Sequence, residues 1–483
     1  MVFSSLLFLY GFFSLSLLAY GLCRSQKQQN TVLLIFSLIF YAWGEPKYVL
    51  LLMLMAFVSW ACALGVESGK HPKGYVAVAT VIELALIGYF KYAGLICGIF
   101  GPVPEFVRNI ALPIGISFYT FQLLSYVVDV YRKDAPAQKR YVNVLLYAAL
   151  FHQCIAGPIV RYKTIDRELF GPEPRKPDWH LGVSRFCAGL AKKALLANPC
   201  GALANTLILS DTAAADLGQL ASNLLYMENL SVLGAWVGML AYALHIYLDF
   251  SAYSDMAIGM GRMLGLHYLE NFNYPYISRT VTEFWRRWHM SLGTFFRDYV
   301  YIPLGGSRCS VPRMVFNTFV VWALTGLWHG ASWNFVLWGL WYFVFLMLER
   351  AFLKEWLEKV PVLSNLYLLT VTVLGWVLFR FTNMEVGLSL AKSMFALNGN
   401  PLTDLTAQIQ LQSHAYLLLV SAIASTPLMK WVRVKLETSA QERPAIKGLF
   451  NLLFYSVLPV ILLLLSTACL VGDSYNPFIY FQF

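Results

Sequence analysis

Ala323-Leu324-Thr325-Gly326-Leu327-Trp328-His329-Gly330-Ala331-Ser332-Trp333 joins two apolar runs, 314–328 and 331–348. Runs of this kind belong in a bilayer, and this one carries an imidazole at its centre. An ionisable side chain at membrane depth loses hydration, so it faces a cavity or a partner. His329 therefore has two readings: a functional group, or a histidine hydrogen-bonded to a neighbouring helix.

The rest of the chain places that stretch in an integral membrane protein. Of its 483 residues 58% are hydrophobic and 13% charged, against about 25% charged in soluble domains. The 14 Trp, 28 Tyr and 34 Phe suit many helix ends at lipid interfaces. No polar segment is long enough for a separate soluble domain, so 1–483 reads as one polytopic domain. The net charge of +10 points to basic cytoplasmic loops, anionic lipid headgroups or an acidic partner, and not to nucleic acid. Eight scattered cysteines without a C-x-x-C argue against a disulfide framework or a zinc site.

Apolar segments recur at 2–23, 31–43, 48–66, 75–100, 110–131, 231–248, 314–328, 331–348, 364–382, 414–430 and 448–471. No Lys or Arg precedes Arg24. The first segment thus lacks the basic start of a cleaved signal peptide and reads as a span. Basic residues follow the first, third and fifth segments: Arg24 and Lys27, Lys70 and Lys73, then Arg132, Lys133, Lys139 and Arg140. Lys354 and Lys359, and then Lys430, Arg433, Lys435, Arg443 and Lys447, mark two further basic loops. This alternation predicts a cytoplasmic side for those loops and both termini outside. The apolar stretch 141–160 has basic loops on both sides, which predicts a re-entrant dip from the cytoplasm, broken at Ile155-Ala156-Gly157-Pro158. No internal repeat and no inverted pair of broken helices stands out, which weakens a carrier reading.

The polar chemistry is concentrated in 245–308. Asp249 and Asp255 lie close to an apolar span and need partners, for which Arg286, Arg287 and Arg297 are candidates. Such ion pairs serve packing as readily as function. Glu283-Phe284-Trp285-Arg286-Arg287-Trp288-His289 reads as an interfacial amphipathic helix. On it Glu283 reaches Arg286 or Arg287, Arg286 shares a face with His289, and Trp285 and Trp288 sit at the headgroup boundary. It is either a surface anchor or the floor of a reaction chamber. Gly305-Gly306 followed by Arg308 is a turn with a basic residue, weak evidence for phosphate binding. No P-loop, zinc-protease or nucleophile-elbow pattern occurs. Candidate chemistry rests on His329 and His289. His71, His180 and His414 sit at loops or span ends, His152 in the expected dip, and His245 and His267 fit helix packing.

With these residues in view, the chain resembles the membrane-bound O-acyltransferases, in the bacterial branch that O-acetylates alginate, peptidoglycan and cellulose. The resemblance rests on Tyr41-Ala42-Trp43, Gly88-Tyr89-Phe90-Lys91-Tyr92, Leu112-Pro113-Ile114-Gly115-Ile116-Ser117-Phe118-Tyr119 and Ala156-Gly157-Pro158-Ile159-Val160-Arg161. It is strongest over Asp249-Phe250-Ser251, Tyr253-Ser254-Asp255, Asn271-Phe272-Asn273 and Glu283–His289, and extends to Tyr480-Phe481-Gln482-Phe483. Ala252 stands where the family pattern has glycine. The resemblance implies an all-α polytopic membrane protein, a ring of helices with re-entrant segments around a tunnel. It places the catalytic histidine on His329 and a second active-site histidine on His289. Asp249, Tyr253, Asp255, Asn273, Trp285, Arg286, Arg287, Trp288, Arg297 and Trp328 form the expected substrate-binding or supporting set.

The implied reaction carries an acyl group, acetyl in this branch, from a cytoplasmic thioester to a hydroxyl. A neutral histidine suits removal of the hydroxyl proton, and low-dielectric surroundings disfavour imidazolium. His289 is then a donor to the developing oxyanion or a positioner of the acceptor. No bound cofactor is expected; the donor is acetyl-CoA or an acidic acyl carrier protein on the basic cytoplasmic face. Expected partners are membrane lipid, an extracytoplasmic acetyltransferase and a polysaccharide acceptor, in a bacterial cytoplasmic (inner) membrane. The apolar C-terminal tail is a candidate contact for that acetyltransferase. The rival readings are teichoic-acid D-alanyl transfer from a carrier protein, a non-catalytic exporter of the acyl donor, and a structural scaffold.

Overall fold

The computed structural model describes residues 2–154, 157–209, 217–441 and 444–472. Among them the regular structure is entirely helical, with no strand. The protein is an all-α polytopic membrane protein. Six helical runs are long and apolar enough to cross a bilayer: Pro46–Glu67, Pro72–Phe100, Val232–Met263, Trp333–Lys359, Pro361–Arg380 and Ile446–Gly472. The last of these exposes Leu449, Leu452, Leu453, Val457, Leu458, Val460, Ile461, Leu464, Leu465 and Val471. Such a surface is stable only where the surrounding solvent is itself apolar.

The described helices correspond to most of the expected apolar segments but differ at several places, among them the run Trp333–Lys359, which continues the segment expected at 331–348 through the basic residues Lys354 and Lys359 expected in a loop. The segment expected at 414–430 is two helices, Leu405–Ala424 and Leu428–Ala440, bent by 59°. Pro427 has no N–H to give and disfavours helical backbone at the residue before it, so the ladder ends there despite the apolar side chains. The segment expected to end at 248 continues as a 32-residue helix, Val232–Met263. Its polar residues after Leu248 do not break it because several are paired inside the protein, as described below. The first apolar helix, Leu7–Gly21, is shorter than the run 2–23.

The stretch 141–160 does not form one crossing helix. Tyr141–Ala149 has 9 residues, about 13 Å at 1.5 Å per residue, under half of a hydrocarbon core of about 30 Å. The chain then turns through Phe151–Cys154, and the next helix, Tyr162–Phe170, begins after the non-helical residues 157–161. Of the expected break, Ile155 and Ala156 lie outside the described residues. The non-helical backbone is largely buried, and several polar groups of the stretch find partners within the protein. Phe151 N donates to Ser37 Oγ (3.1 Å), Gln153 Nε2 to Tyr147 O (2.7 Å) and Tyr147 Oη to Val160 O (2.8 Å). Irregular backbone is tolerated at membrane depth under this condition.

The chain divides into two compact units, one of Met1–Leu190, Tyr253–Glu270 and Phe454–Gly472, the other including Ala191–Ala252 and Asn271–Leu453. In the first, Phe8, Phe12, Phe40 and Phe151 pack as a buried ring cluster. In the second, the core holds Trp288, Trp322, Phe335, Trp338, Tyr342, Trp376 and Phe379. Its helices Val311–His329 and Trp333–Leu348 pack closely through two glycines. A Cβ on Gly326 would overlap Phe335 O, and one on Gly339 would overlap Trp322 O. Both positions are occupied by the residue that lets backbones approach.

Candidate functional site

His329 is the last residue of Val311–His329, and the chain leaves the helix at Gly330, whose backbone is extended. Its imidazole is buried, with ring contacts to Trp328 (5.0 Å between centroids), Trp338 (4.9 Å) and Phe379 (5.2 Å). These rings come from its own helix, from Trp333–Leu348 and from Pro361–Arg380. The indole N–H of Trp338 is buried and has no hydrogen-bond partner among the described residues.

His289 lies between two seven-residue helices, Val281–Arg287 and Met290–Phe296. Its backbone is left-handed, at φ 45° and ψ 53°. Histidine is among the few side chains that visit this region at all, and strain of this kind gathers at functional positions. Asn271 holds the segment. Its main-chain O accepts Met290 N–H (2.9 Å), and its Oδ1 accepts Ser291 N–H (3.2 Å) and the Ser291 hydroxyl (2.9 Å). The first N–H groups of a helix have no intrahelical partner, and Asn271 supplies one for two of them. The same Oδ1 lies 3.2 Å from His289 Nδ1. Phe250 and Trp328 pack edge-on against the His289 ring, at 4.8 and 5.7 Å. Trp328 thus touches both imidazoles. Burial pushes the His289 imidazole down to about 3, so it is neutral at physiological pH.

The sequence expectation of one continuous helix from Glu283 to His289 is corrected. The helix ends at Arg287, and Trp288 is extended, so Arg286 and His289 share no helical face. Glu283 pairs with Arg287 at 2.8 Å, while Arg286 is exposed. Trp288 is buried among Tyr247, Phe272, Tyr276, Phe284 and Trp376 instead of lying at a headgroup boundary. Trp285, half-buried, packs against Trp322, Trp338 and Tyr342. The helix start is fixed by Glu349, a buried carboxylate that accepts Val281 N–H, Thr282 N–H (2.9 Å) and the Thr282 hydroxyl (2.7 Å). A carboxylate there complements the positive end of the helix.

The aspartates find partners other than the arginines expected for them. Asp249, fully buried, lies 2.6 Å from the buried Lys193 ammonium. Asp255 pairs with Arg185 at 2.7 Å, and Arg185 also binds Glu270. Arg297 is exposed and pairs with Asp298. Asn273 is exposed, and its N–H donates to Arg287 O (2.9 Å). Tyr253 stacks on Phe3 at 4.4 Å in the first unit, which also holds Asp255. Four other histidines have described partners. His152 bonds Tyr268 (2.6 Å), His245 the Ala197 carbonyl (2.8 Å), His267 Glu168 (2.7 Å) and His414 the Gln410 carbonyl (3.0 Å). Among the described residues no group of three or more His, Cys, Asp or Glu could hold a metal ion.

Sequence reasoning missed Asn271, Lys193, Trp338, Phe379 and Glu349. Asn271 was visible two positions from Asn273, and Lys193 carried a signal as one of two adjacent lysines in an otherwise apolar stretch. Nothing in the sequence marks Trp338 or Phe379 among the many aromatics.

Residues 49–390 match the MBOAT, membrane-bound O-acyltransferase family. The chain is 35% identical to the probable alginate O-acetylase AlgI of Azotobacter vinelandii, with 100% of both chains covered. The same identity and coverage hold for the protein of that name from Pseudomonas aeruginosa. It is 28% identical to a peptidoglycan O-acetyltransferase of Helicobacter pylori, over 84% of this chain and 82% of that one. With a family match over most of its length and relatives alike from end to end, the chain belongs to the membrane-bound O-acyltransferases, which transfer an acyl group to a hydroxyl acceptor.

Proposed function

We propose that this protein moves an acetyl group from a cytoplasmic thioester to a hydroxyl of an extracytoplasmic polysaccharide, directly or through a partner acetyltransferase, in a bacterial cytoplasmic membrane. The observation that carries the reading is the placement of His289 and His329 against one buried indole, Trp328. The named relatives act on alginate and peptidoglycan, both glycans with free hydroxyls, which supports a polysaccharide acceptor.

In this reading His329 takes the hydroxyl proton as the oxygen attacks the thioester carbonyl. The carbon–oxygen bond forms, the carbonyl π pair moves to oxygen, and collapse of the tetrahedral centre expels the thiolate. The thiolate recovers the proton from the His329 imidazolium, so the products are ester and free thiol. Negative charge on the carbonyl oxygen calls for a preorganised donor. The unpartnered Trp338 N–H, in the wall around His329, is one available to it. His289 is the other candidate, unless it orients the acceptor. The net positive charge suits a phosphate-bearing coenzyme or an acidic carrier protein as thioester.

The test is thioester turnover by the full-length protein in lipid, with acetyl-CoA and an acetyl-loaded carrier protein assayed separately and a polysaccharide acceptor present. Turnover by wild type and its loss in His329→Ala support the reading, and the productive thioester identifies the donor. Equal turnover in both removes His329 from the chemistry. A strict requirement for a D-alanyl-loaded carrier replaces acetyl transfer with D-alanyl transfer.

A further inference from the structure

We infer that the helix Leu428–Gln441 is an interfacial binding surface for anionic lipid: its apolar face rests in the acyl boundary of one leaflet while its basic residues hold headgroup phosphates. The inference is independent of the acyl-transfer reading. The helix lies between two apolar helical runs. Leu405–Ala424, before it, has 20 residues, about 30 Å of helix, enough to traverse a hydrocarbon core. It turns Leu405, Ile409, Tyr416 and Leu419 outward, as a lipid-facing helix does. Ile446–Gly472, after it, is long and apolar enough to cross a bilayer. A segment that joins two crossings keeps to one face of the membrane. The helix axis changes direction by 59° between Ala424 and Leu428, so Leu428–Gln441 leaves the direction of the crossing and leans toward the membrane plane.

The side chains are sorted as such a position demands. Leu428, Val432 and Leu436 recur every fourth residue, with Met429 beside them, and so share one face. Lys430, Arg433 and Glu437 fall on the opposite face. Leu428, Met429 and Leu436 are 47%, 63% and 46% exposed. The protein leaves this apolar face uncovered, and water is a poor solvent for it. Lys435 lies over the Trp431 ring, 5.0 Å from its centroid. Both are exposed on a flank between the two faces, where a tryptophan suits the headgroup level. Lys430, Arg433 and Lys435 stand against one acid, Glu437, so the helix favours a negative headgroup over a zwitterionic one. An acidic soluble protein answers the charges but leaves the apolar face in water whenever it departs. A leaflet covers that face continuously, and it already surrounds the neighbouring runs.

The experiment is electron spin resonance of the full-length protein in phosphatidylcholine vesicles doped with spin-labelled lipid. The fraction of label immobilised at the protein is compared for phosphatidylglycerol and phosphatidylcholine. Wild type is expected to favour phosphatidylglycerol, and the preference to fall by at least on the order of twofold when Lys430→Gln, Arg433→Gln and Lys435→Gln are combined. High salt is expected to weaken it in wild type. The three side chains are exposed, so the variant is expected to fold, which size-exclusion chromatography checks. A second measurement places single nitroxides at Leu436 and at Arg433 in a chain without its 8 natural cysteines. The label at Leu436 is expected to be relaxed by oxygen and shielded from a water-soluble nickel chelate, and the label at Arg433 to meet the chelate. No preference for phosphatidylglycerol in wild type overturns the inference, as does an undiminished preference in the folded triple variant. A label at Leu436 open to the chelate overturns it too, because the helix then stands clear of the leaflet and its face is left for a soluble acidic protein. Neither readout uses acyl transfer, so failure of the proposed reaction leaves this test intact.

Discussion

At the scale of single residues, the candidate site is two imidazoles in aromatic surroundings, and their environments make separable predictions. Trp338→Phe retains a ring against His329 and removes only the indole N–H. If that N–H meets the carbonyl oxygen, kcat falls on the order of 100-fold with the thiol-release assay as readout; unchanged kcat removes Trp338 from that role. His289 also makes a prediction about stability. Its folded value is depressed to about 3 by burial, while the unfolded chain titrates near 6.5. Between these values the unfolded state binds more protons, so stability is lost as pH falls below about 6.5. The thermal midpoint in detergent is expected to drop on acidification from pH 7 to 5, and less steeply in His289→Gln. Equal slopes would show that His289 is not buried as a neutral ring.

At the scale of elements, placement of His329 depends on the closeness of Val311–His329 to Trp333–Leu348. Gly339→Ala puts a methyl into Trp322 O and forces the pair apart. Loss of both activity and thermal stability is expected, with Trp333→Ala on the same helix, at an exposed position, nearly neutral for stability. The Val232–Met263 helix depends on its buried ion pair. Lys193→Met strands the Asp249 carboxylate and is expected to destabilise by about 3–5 kcal/mol. Lys193→Met combined with Asp249→Leu removes both charges and should restore folded yield in size-exclusion chromatography. If the double variant is no better folded than the single one, the pair is not the reason this helix tolerates Asp249. Element ends were the least legible part of the sequence. Hydropathy stops at Leu248 because it prices Asp249 as solvated, and it runs through Pro427 because it does not price a missing N–H.

At the scale of the whole molecule, the basic-loop pattern predicts a cytoplasmic Arg161–His180 and outside termini. A single cysteine at Lys176, in a background without the 8 natural cysteines, is expected to react with a membrane-impermeant maleimide only after the membrane is opened. Labelling in intact cells would reverse that orientation and make 141–160 part of a crossing. The tail ending in Tyr480-Phe481-Gln482-Phe483 lies outside the described residues, as does Arg443, so their contribution rests on sequence alone.

The sequence by itself determined the membrane class, most of the apolar helices, the family and the two histidines worth testing. These follow from composition, run length and local motif, which depend on residues near one another along the chain. Only the tertiary structure decided that Asn271, and not Asn273, holds His289, that Lys193 neutralises Asp249, and that Trp338 and Phe379 wall His329. Partner choice for a buried charge or ring is set by whichever group the packing brings within a few ångströms, and in this chain those groups lie between 18 and 56 positions away or among aromatics too numerous to single out.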